Sequence, residues 1–322
     1  MNSATISGFT SSLPLPRRVQ QWFDAVPHPP VAVEISEAHV AAVRWPQHAV
    51  EPLAPGLVAP SPVDLNLTDS RSVSDALRKV LNRMGSHGPD VALLVPDQVV
   101  RVFLLHFDTL PRRTEDAVPL LRWRLKKSVP FDVEDTVVSY AVQPGPPSGP
   151  AGVDVLTAVA RQRVVRQYEE VVEACSLKPG VVLSSTLATL PFFDDDRATL
   201  LARMTGRTLT TVIVRGPSLC VYRCSEMAAD AASLAPQALL DEVYPAVAYY
   251  QDTWNENVHA ICLAGFQERF EDFRRAIDSE LSVNATRLTP SAVLGEPLSG
   301  VARATVDRHL DALVGWARNR GA

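Results

Sequence analysis

Two hairpin-like stretches, far apart in the chain, limit the folds open to it. In the first, Val31, Val33 and Ile35 alternate, and a tight link at Ser36–Ala38 leads into a second strand-like run from His39 to Trp45. In the other, residues 208–214 and 218–224 flank the turn Arg215-Gly216-Pro217. Alternation with a period of two that closes on a short turn predicts a β-hairpin. Segments of helical period follow each hairpin, so the chain reads as hairpin and helix twice over: an α/β protein of two related halves.

Between the hairpins the order of elements is well marked. Ser72-Val-Ser-Asp75 supplies an N-terminal cap, Val73, Leu77, Val80, Leu81 and Met84 form an apolar stripe, and Gly85 is a stop, which predicts a helix. Two strand-like runs, 91–96 and 99–107, are separated by a turn at Asp97-Gln98. A helix over 114–127 has a strongly basic outer face, tolerates Pro119 only near its start, and is ended by Pro130. Strands at 136–143 and 153–160 enclose a loop at 144–152 rich in Pro and Gly, and an amphipathic helix runs from Val164 through Tyr168 to Cys175.

After a short apolar run at 181–183, the segment through Phe192-Phe193 reads as helical or irregular, and a second half is expected to begin near residue 180. Its helices carry Leu240, Val243, Val247, Tyr250 and Trp254, then Phe266, Phe270, Phe273, Ile277 and Leu281, with a buried strand at 261–265 between them. One last helix is expected from Arg303 to Arg318.

Composition excludes several function classes. With 322 residues, 46% hydrophobic and 21% charged, the chain is globular and long enough for two cores. A net charge of -5 supplies no global field for nucleic acid. Cys175, Cys220, Cys224 and Cys262 lack the spacing of a disulfide framework, and Cys220 and Cys224, about 13 Å apart along a strand, cannot share a metal ion. The histidines are scattered, and no G-x-S-x-G nucleophile motif is present. Residues 1–30 form a Ser- and Pro-rich tail with a short helix around Val19–Ala25, whose Trp22 and Phe23 need a covering surface. The tail lacks the pattern of a signal peptide, and no run approaches the ~18 apolar residues of a membrane span, so a cytoplasmic protein is expected.

Four segments narrow the reading: VAVEISEAHVAAV (31–43), LRWRLKKSVPFDVEDTVVSYAV (121–142), DVLTAVARQRVVRQYEEVVEACSLKPGVV (154–182) and VYPAVAYYQDTWNENVHAICLAGF (243–266). In order and spacing the chain resembles the type IV pilus assembly protein PilM family, relatives of the cell-division protein FtsA. The resemblance implies an actin-like fold of two related halves with an α+β subdomain inserted in the first. On that plan residues 1–30 are the tail, 31–90 the first part of half one, 91–179 the insert and 180–322 the second half, with return segments to half one. It also implies a scaffold peripheral at the inner membrane, which binds the cytoplasmic tail of a PilN-like inner-membrane protein and links it to the pilus motor ATPase. The tail peptide is expected in a groove between the first domain and the insert, where Arg101, Arg122, Trp123, Arg124, Pro130 and Phe131 offer apolar and basic groups. Trp123 reads equally well as a core residue under its own helix.

The family further implies ATP with Mg²⁺ between the halves, held by two hairpin turns that each carry glycine and an acid. The family's first turn reads approximately Gly-Ile-Asp-Ile-Gly-Ser; here it is Ala32-Val33-Glu34-Ile35-Ser36-Glu37, without glycine and with an added carboxylate. A Mg²⁺ held by Glu34 would rescue the site, whereas strand alternation alone would place Glu34 on the solvated face of an edge hairpin. The second turn is assigned to residues 210–222, with Gly216 retained, Ile213 or Val214 in place of the acid, and Arg215 either contacting a phosphate or facing solvent as a turn residue. At the adenosine end Leu263-Ala264-Gly265 is followed by Phe266 instead of a second glycine. These departures predict a degenerate site without turnover. The alternatives are an active actin-like ATPase using altered residues, and the cytoplasmic module of a type II secretion system, which normally continues into a transmembrane helix absent before Ala322.

Overall fold

A computed structural model describes residues 28–85, 88–144, 152–193, 195–294 and 298–318. The short helix expected at 19–25 and most of the loop at 144–152 lie outside these residues.

Two five-stranded sheets of the same plan form the body. In the first, β1 (Val31–Ile35), β2 (His39–Arg44), β3 (Gln47–Pro52), β4 (Asp90–Val95) and β8 (Lys178–Ser184) run in the order β3-β2-β1-β4-β8. In the second, β9 (Thr199–Thr205), β10 (Thr208–Arg215), β11 (Ser218–Glu226), β12 (Ala260–Ala264) and β13 (Ala285–Arg287) run in the order β11-β10-β9-β12-β13. In each sheet the central strand pairs antiparallel with its successor on one side and parallel with β4 or β12 on the other. β9 is therefore the counterpart of β1. The sequence alone assigns no element to 199–205, because Arg203 interrupts an otherwise apolar run that only a buried partner makes tolerable.

The outer face of the first sheet is covered by α1 (Ser70–Met84) and α3 (Gln162–Glu173), which bury Leu77, Val80, Tyr168 and Val172 against Val33, Ile35 and Leu93. α1 starts earlier than Ser72: Asp69 is the cap, accepting from the backbone N–H groups of Arg71 and Ser72. The second sheet is covered in the same way by α5 (Pro236–Trp254) and α6 (Phe270–Leu281). Between the sheets lies a third core, built on α4 (Ser185–Ala188) and α8 (Asp311–Arg318), with Ala32 and Leu94 from one side, Leu201 and Val212 from the other, and Trp316 fully buried among them. The last helical stretch is two helices, α7 (Gly300–His309) and α8, broken at Leu310. The break turns α8 back onto β1 and β2 of the first half.

A three-stranded antiparallel sheet, β5 (Val100–Phe107), β7 (Val153–Arg161) and β6 (Thr136–Gln143) in that order, carries α2 (Thr114–Leu125). Pro119 sits in the second turn of this helix rather than at its start. β4 and β8, on either side of the added unit, pair with each other inside the first sheet, so the unit spans 100–161 in strand terms and is narrower than the expected 91–179. It leans on the second half through Gln143, whose amide donates to Leu219 O and accepts from Leu219 N at 3.1 and 2.8 Å.

Candidate functional site

The cleft between the halves is built by residues at the ends of the two central strands. In β1, Val33 and Ile35 point into the outer core, so Ala32 and Glu34 face the other half; in β9, Leu200 and Ala202 do the same and leave Leu201 and Arg203 facing back. Glu34 is therefore not on a solvated edge. It lies on the central strand of a sheet covered on both faces, with 1% of its surface exposed.

Arg203, equally buried, is the hub. Its Nε and Nη2 donate to the two carboxylate oxygens of Asp311 at 2.7 and 2.9 Å, a bidentate pair, and it lies 3.5 Å from Glu34 and 3.8 Å from Asp97. Asp97, expected in a simple turn, accepts from Ser184 Oγ at 2.8 Å and the backbone N–H of Thr186 at 2.9 Å on its own half, and from Thr210 Oγ1 at 2.8 Å across the cleft. Burial raises the Glu34 pKa to about 7, and the attraction of Arg203 offsets only part of this because that guanidinium is committed to Asp311. For Asp311 burial acts in the same sense, but the charge and hydrogen bonds of Arg203 outweigh it and the pKa is lowered. Burial also lowers His39 to about 4, helped by His309, whose ring meets it edge-on at 5.2 Å.

A cavity of about 190 Å³ opens beside this cluster, lined among others by Glu34, His39, Gly265, Phe266 and Asp311. Gly265 has φ +85°, and a Cβ there would stand 1.9 Å from Met204 O, so the turn after β12 presses its backbone on the end of β9. Phe266 turns into the outer core of the second half, with its ring 4.6 Å from that of Phe273, rather than filling the cleft. Ser36 and Glu37 lie at a neighbouring crevice with Asp97 and Thr205. Glu37 reaches across to the opposite turn, where a Cβ on Gly206 would fall 1.8 Å from its Oε2.

Arg215 and Gly216 do not join the site. They form the β10–β11 turn, one hairpin later than the counterpart of Ser36–Ala38, and Arg215 pairs with Glu256 at 2.6 Å. The true counterpart is Thr205-Gly206-Arg207 after β9, which aligns Arg203 with Glu34. Sequence reading missed Arg203, Asp97 and Asp311; the Thr-Gly-Arg-Thr turn at 205–208 was the signal for the first. Among the described residues, no cluster of His, Cys, Asp and Glu could hold a metal ion.

The expected groove residues are only partly gathered. Arg122 Nη2 donates to Thr136 O at 2.9 Å at the start of β6, Trp123 and Arg124 point outward on the same helix end, and Pro130 and Phe131 follow in the link. Trp123 is 72% exposed, which removes the core reading. Arg101 stands on β5, the opposite edge of the small sheet. A cavity of about 350 Å³ opens between the insert and the second half, lined by Leu104, His106, Gln143, Leu219, Tyr249 and Trp254, and none of the six expected groove residues lines it.

The sequence matches the type IV pilus assembly protein PilM family over residues 30–190. The chain belongs to this PilM family. In structure it is similar to the "PilM-PilN type IV pilus biogenesis complex", with 16% identity, TM-score 0.74, and cover of 89% of this chain and 97% of that one. It is also similar to a Bacteroides thetaiotaomicron protein with an actin-like ATPase fold and unknown function, at 11% identity and TM-score 0.50 over 91% and 97% of the two chains. No curated protein matches the sequence. The fold of this PilM-family chain is actin-like. At the two hairpin turns facing its cleft, Arg203 occupies the position equivalent to Glu34 and is paired with Asp311, while Glu37 meets the opposite turn at Gly206. Among the described residues, no helix is long and apolar enough to cross a membrane.

Proposed function

We propose that this PilM-family protein is a cytoplasmic scaffold of type IV pilus assembly, held at the inner membrane by the N-terminal tail of a PilN-like protein and coupling it to the pilus motor, with a nucleotide site that no longer works. The similarity to a PilM–PilN complex across nearly the whole of that chain carries the reading. The exposed Trp123, set between Arg122 and Arg124 on α2, supports a docking place for the tail. A large aromatic flanked by cations takes up an apolar residue and a polar end of an extended peptide together.

The test is binding of a synthetic PilN-like tail to Trp123→Ala and, separately, to a chain carrying Arg101→Glu with Arg124→Glu, with melting temperatures recorded beside it. Folded variants that lose tenfold or more in affinity support the site. Unchanged binding by both moves it elsewhere. The nucleotide part is decided by calorimetry with Mg-ATP, where sub-micromolar binding would refute it.

A further inference from the structure

The disagreement between this cleft and a nucleotide site has a consequence for how the halves are held together. In an open-and-shut α/β pair, a ligand bound in the cleft is the usual reason for closure, because its contacts with both halves offset the cost of bringing them together. Here the contacts are already made by side chains. Glu34, from the first sheet, lies 3.5 Å from Arg203 of the second, and Asp311, on a helix packed against the first sheet, takes the bidentate pair. Asp97 accepts hydrogen bonds from both halves.

The charge pattern shows what Arg203 replaces. Glu34, Asp97 and Asp311 approach different sides of the Arg203 guanidinium from the first half and its returning helix, and none of the three is more than one-fifth exposed. Acidic side chains gathered in a low-dielectric site require a cation wherever they ionise, since isolated buried charge costs several kcal/mol per ion. The histidines do not supply it, for His39 and His309 both have lowered pKa values. Nor do the other arginines at the cavity: Arg287 stacks on Phe270 at 4.5 Å and donates to Gln267 O, and Arg308 pairs with Glu268 at 3.6 Å. Among the described residues, Arg203 is the single cation seated among the acids. It arises from the strand equivalent to β1, at the position equivalent to Glu34.

We infer that Arg203 is a built-in interlobe cation, a latch that keeps the two halves closed without any bound ligand. The inference rests on the reading of a non-working nucleotide site and extends it: the protein is a permanently closed platform, and its partner surface does not vary with nucleotide. Closure by a tethered guanidinium suits a scaffold because it has no dissociation step, whereas a diffusible cation leaves at a finite rate.

The experiment places a pair of distance probes on exposed positions of the two outer layers, Asn82 on α1 and Ser279 on α6. Distances are measured for the wild type with and without Mg-ATP, and for Arg203→Gln and Asp311→Asn, the latter preserving side-chain size. The expected results are an unchanged narrow distance in the wild type, and in the variants a longer or broader one with a melting temperature lowered by about 5–15 °C. A lengthened distance in either variant supports the latch. It is overturned if both variants fold cooperatively and keep the wild-type distance. It is also overturned if the wild type is open until Mg-ATP is added. Nucleotide binding to an already closed wild type would instead refute the non-working site and leave the latch standing on the variant distances.

Discussion

At the scale of single residues, the cleft shows which of two opposed electrostatic effects wins. Glu34 is desolvated by a complete covering of side chains, and the nearest guanidinium is shared with a better-placed competitor, so burial dominates and its pKa rises from 4.5 to about 7. Between those values the folded protein holds the proton more often than the unfolded chain, so stability falls as pH rises and the loss is complete above about 7. His39 acts in the opposite sense. Its pKa drops from 6.5 to about 4, so over that window the unfolded chain takes up more protons and stability grows with pH. The two compensate in the wild type, and only a substitution separates them. Glu34→Gln should leave stability nearly unchanged at pH 5 and raise it at pH 7.5, by on the order of 2 kcal/mol, as read by urea melts at the two pH values. A difference that does not vary with pH would mean that Arg203 fully neutralises Glu34.

At the scale of elements, α2 has two faces with different tasks. Ala117, Leu121 and Leu125 are fully covered, while Trp123 and Arg124 on its other side, and Lys126 and Lys127 just past its end, are exposed. The helix is short and interrupted by Pro119, so its own propensity contributes little and its docking on the small sheet depends on the buried face. Leu121→Ala should therefore cost about 2–5 kcal/mol in thermal or urea unfolding. Trp123→Ala should stay within about 0.5 kcal/mol of the wild type, as a solvent-facing truncation does. Similar losses for both substitutions would place Trp123 in a packed environment.

At the scale of the whole molecule, the C-terminal helix joins what the chain order separates. α8 follows every element of the second half, yet Leu313, Val314 and Trp316 lie in the central core together with Ala32, Ala41 and Leu94 of the first sheet and Leu201 and Val212 of the second. Removing a large side chain there weakens both halves together. Trp316→Ala should cost about 3–5 kcal/mol and speed amide exchange in the inner strands β1 and β9 alike, measured by hydrogen–deuterium exchange with mass spectrometry. Exchange rising in one sheet alone would show that the halves unfold independently.

The sequence by itself determined the elements whose signals are local. The hairpin at 31–44, the amphipathic stripes of α1 and α3, the strands on either side of the 144–152 loop, and the four quoted segments that placed the chain in its family all rest on periodicity, turns and short motifs. Tertiary structure decided what depends on neighbours distant in the chain. Glu34 was read as solvent-facing because alternation cannot distinguish a strand edge from a central strand buried on both faces. β9 carries no local signal of its own because an arginine in an apolar run is plausible only beside acids that arrive from residues 34, 97 and 311. The break at Leu310, which turns α8 onto the first sheet and delivers Asp311 to Arg203, carries no proline or glycine to announce it. A charge's partner is fixed by how the chain folds back on itself, so only the folded molecule shows that its cleft is closed by its own cation.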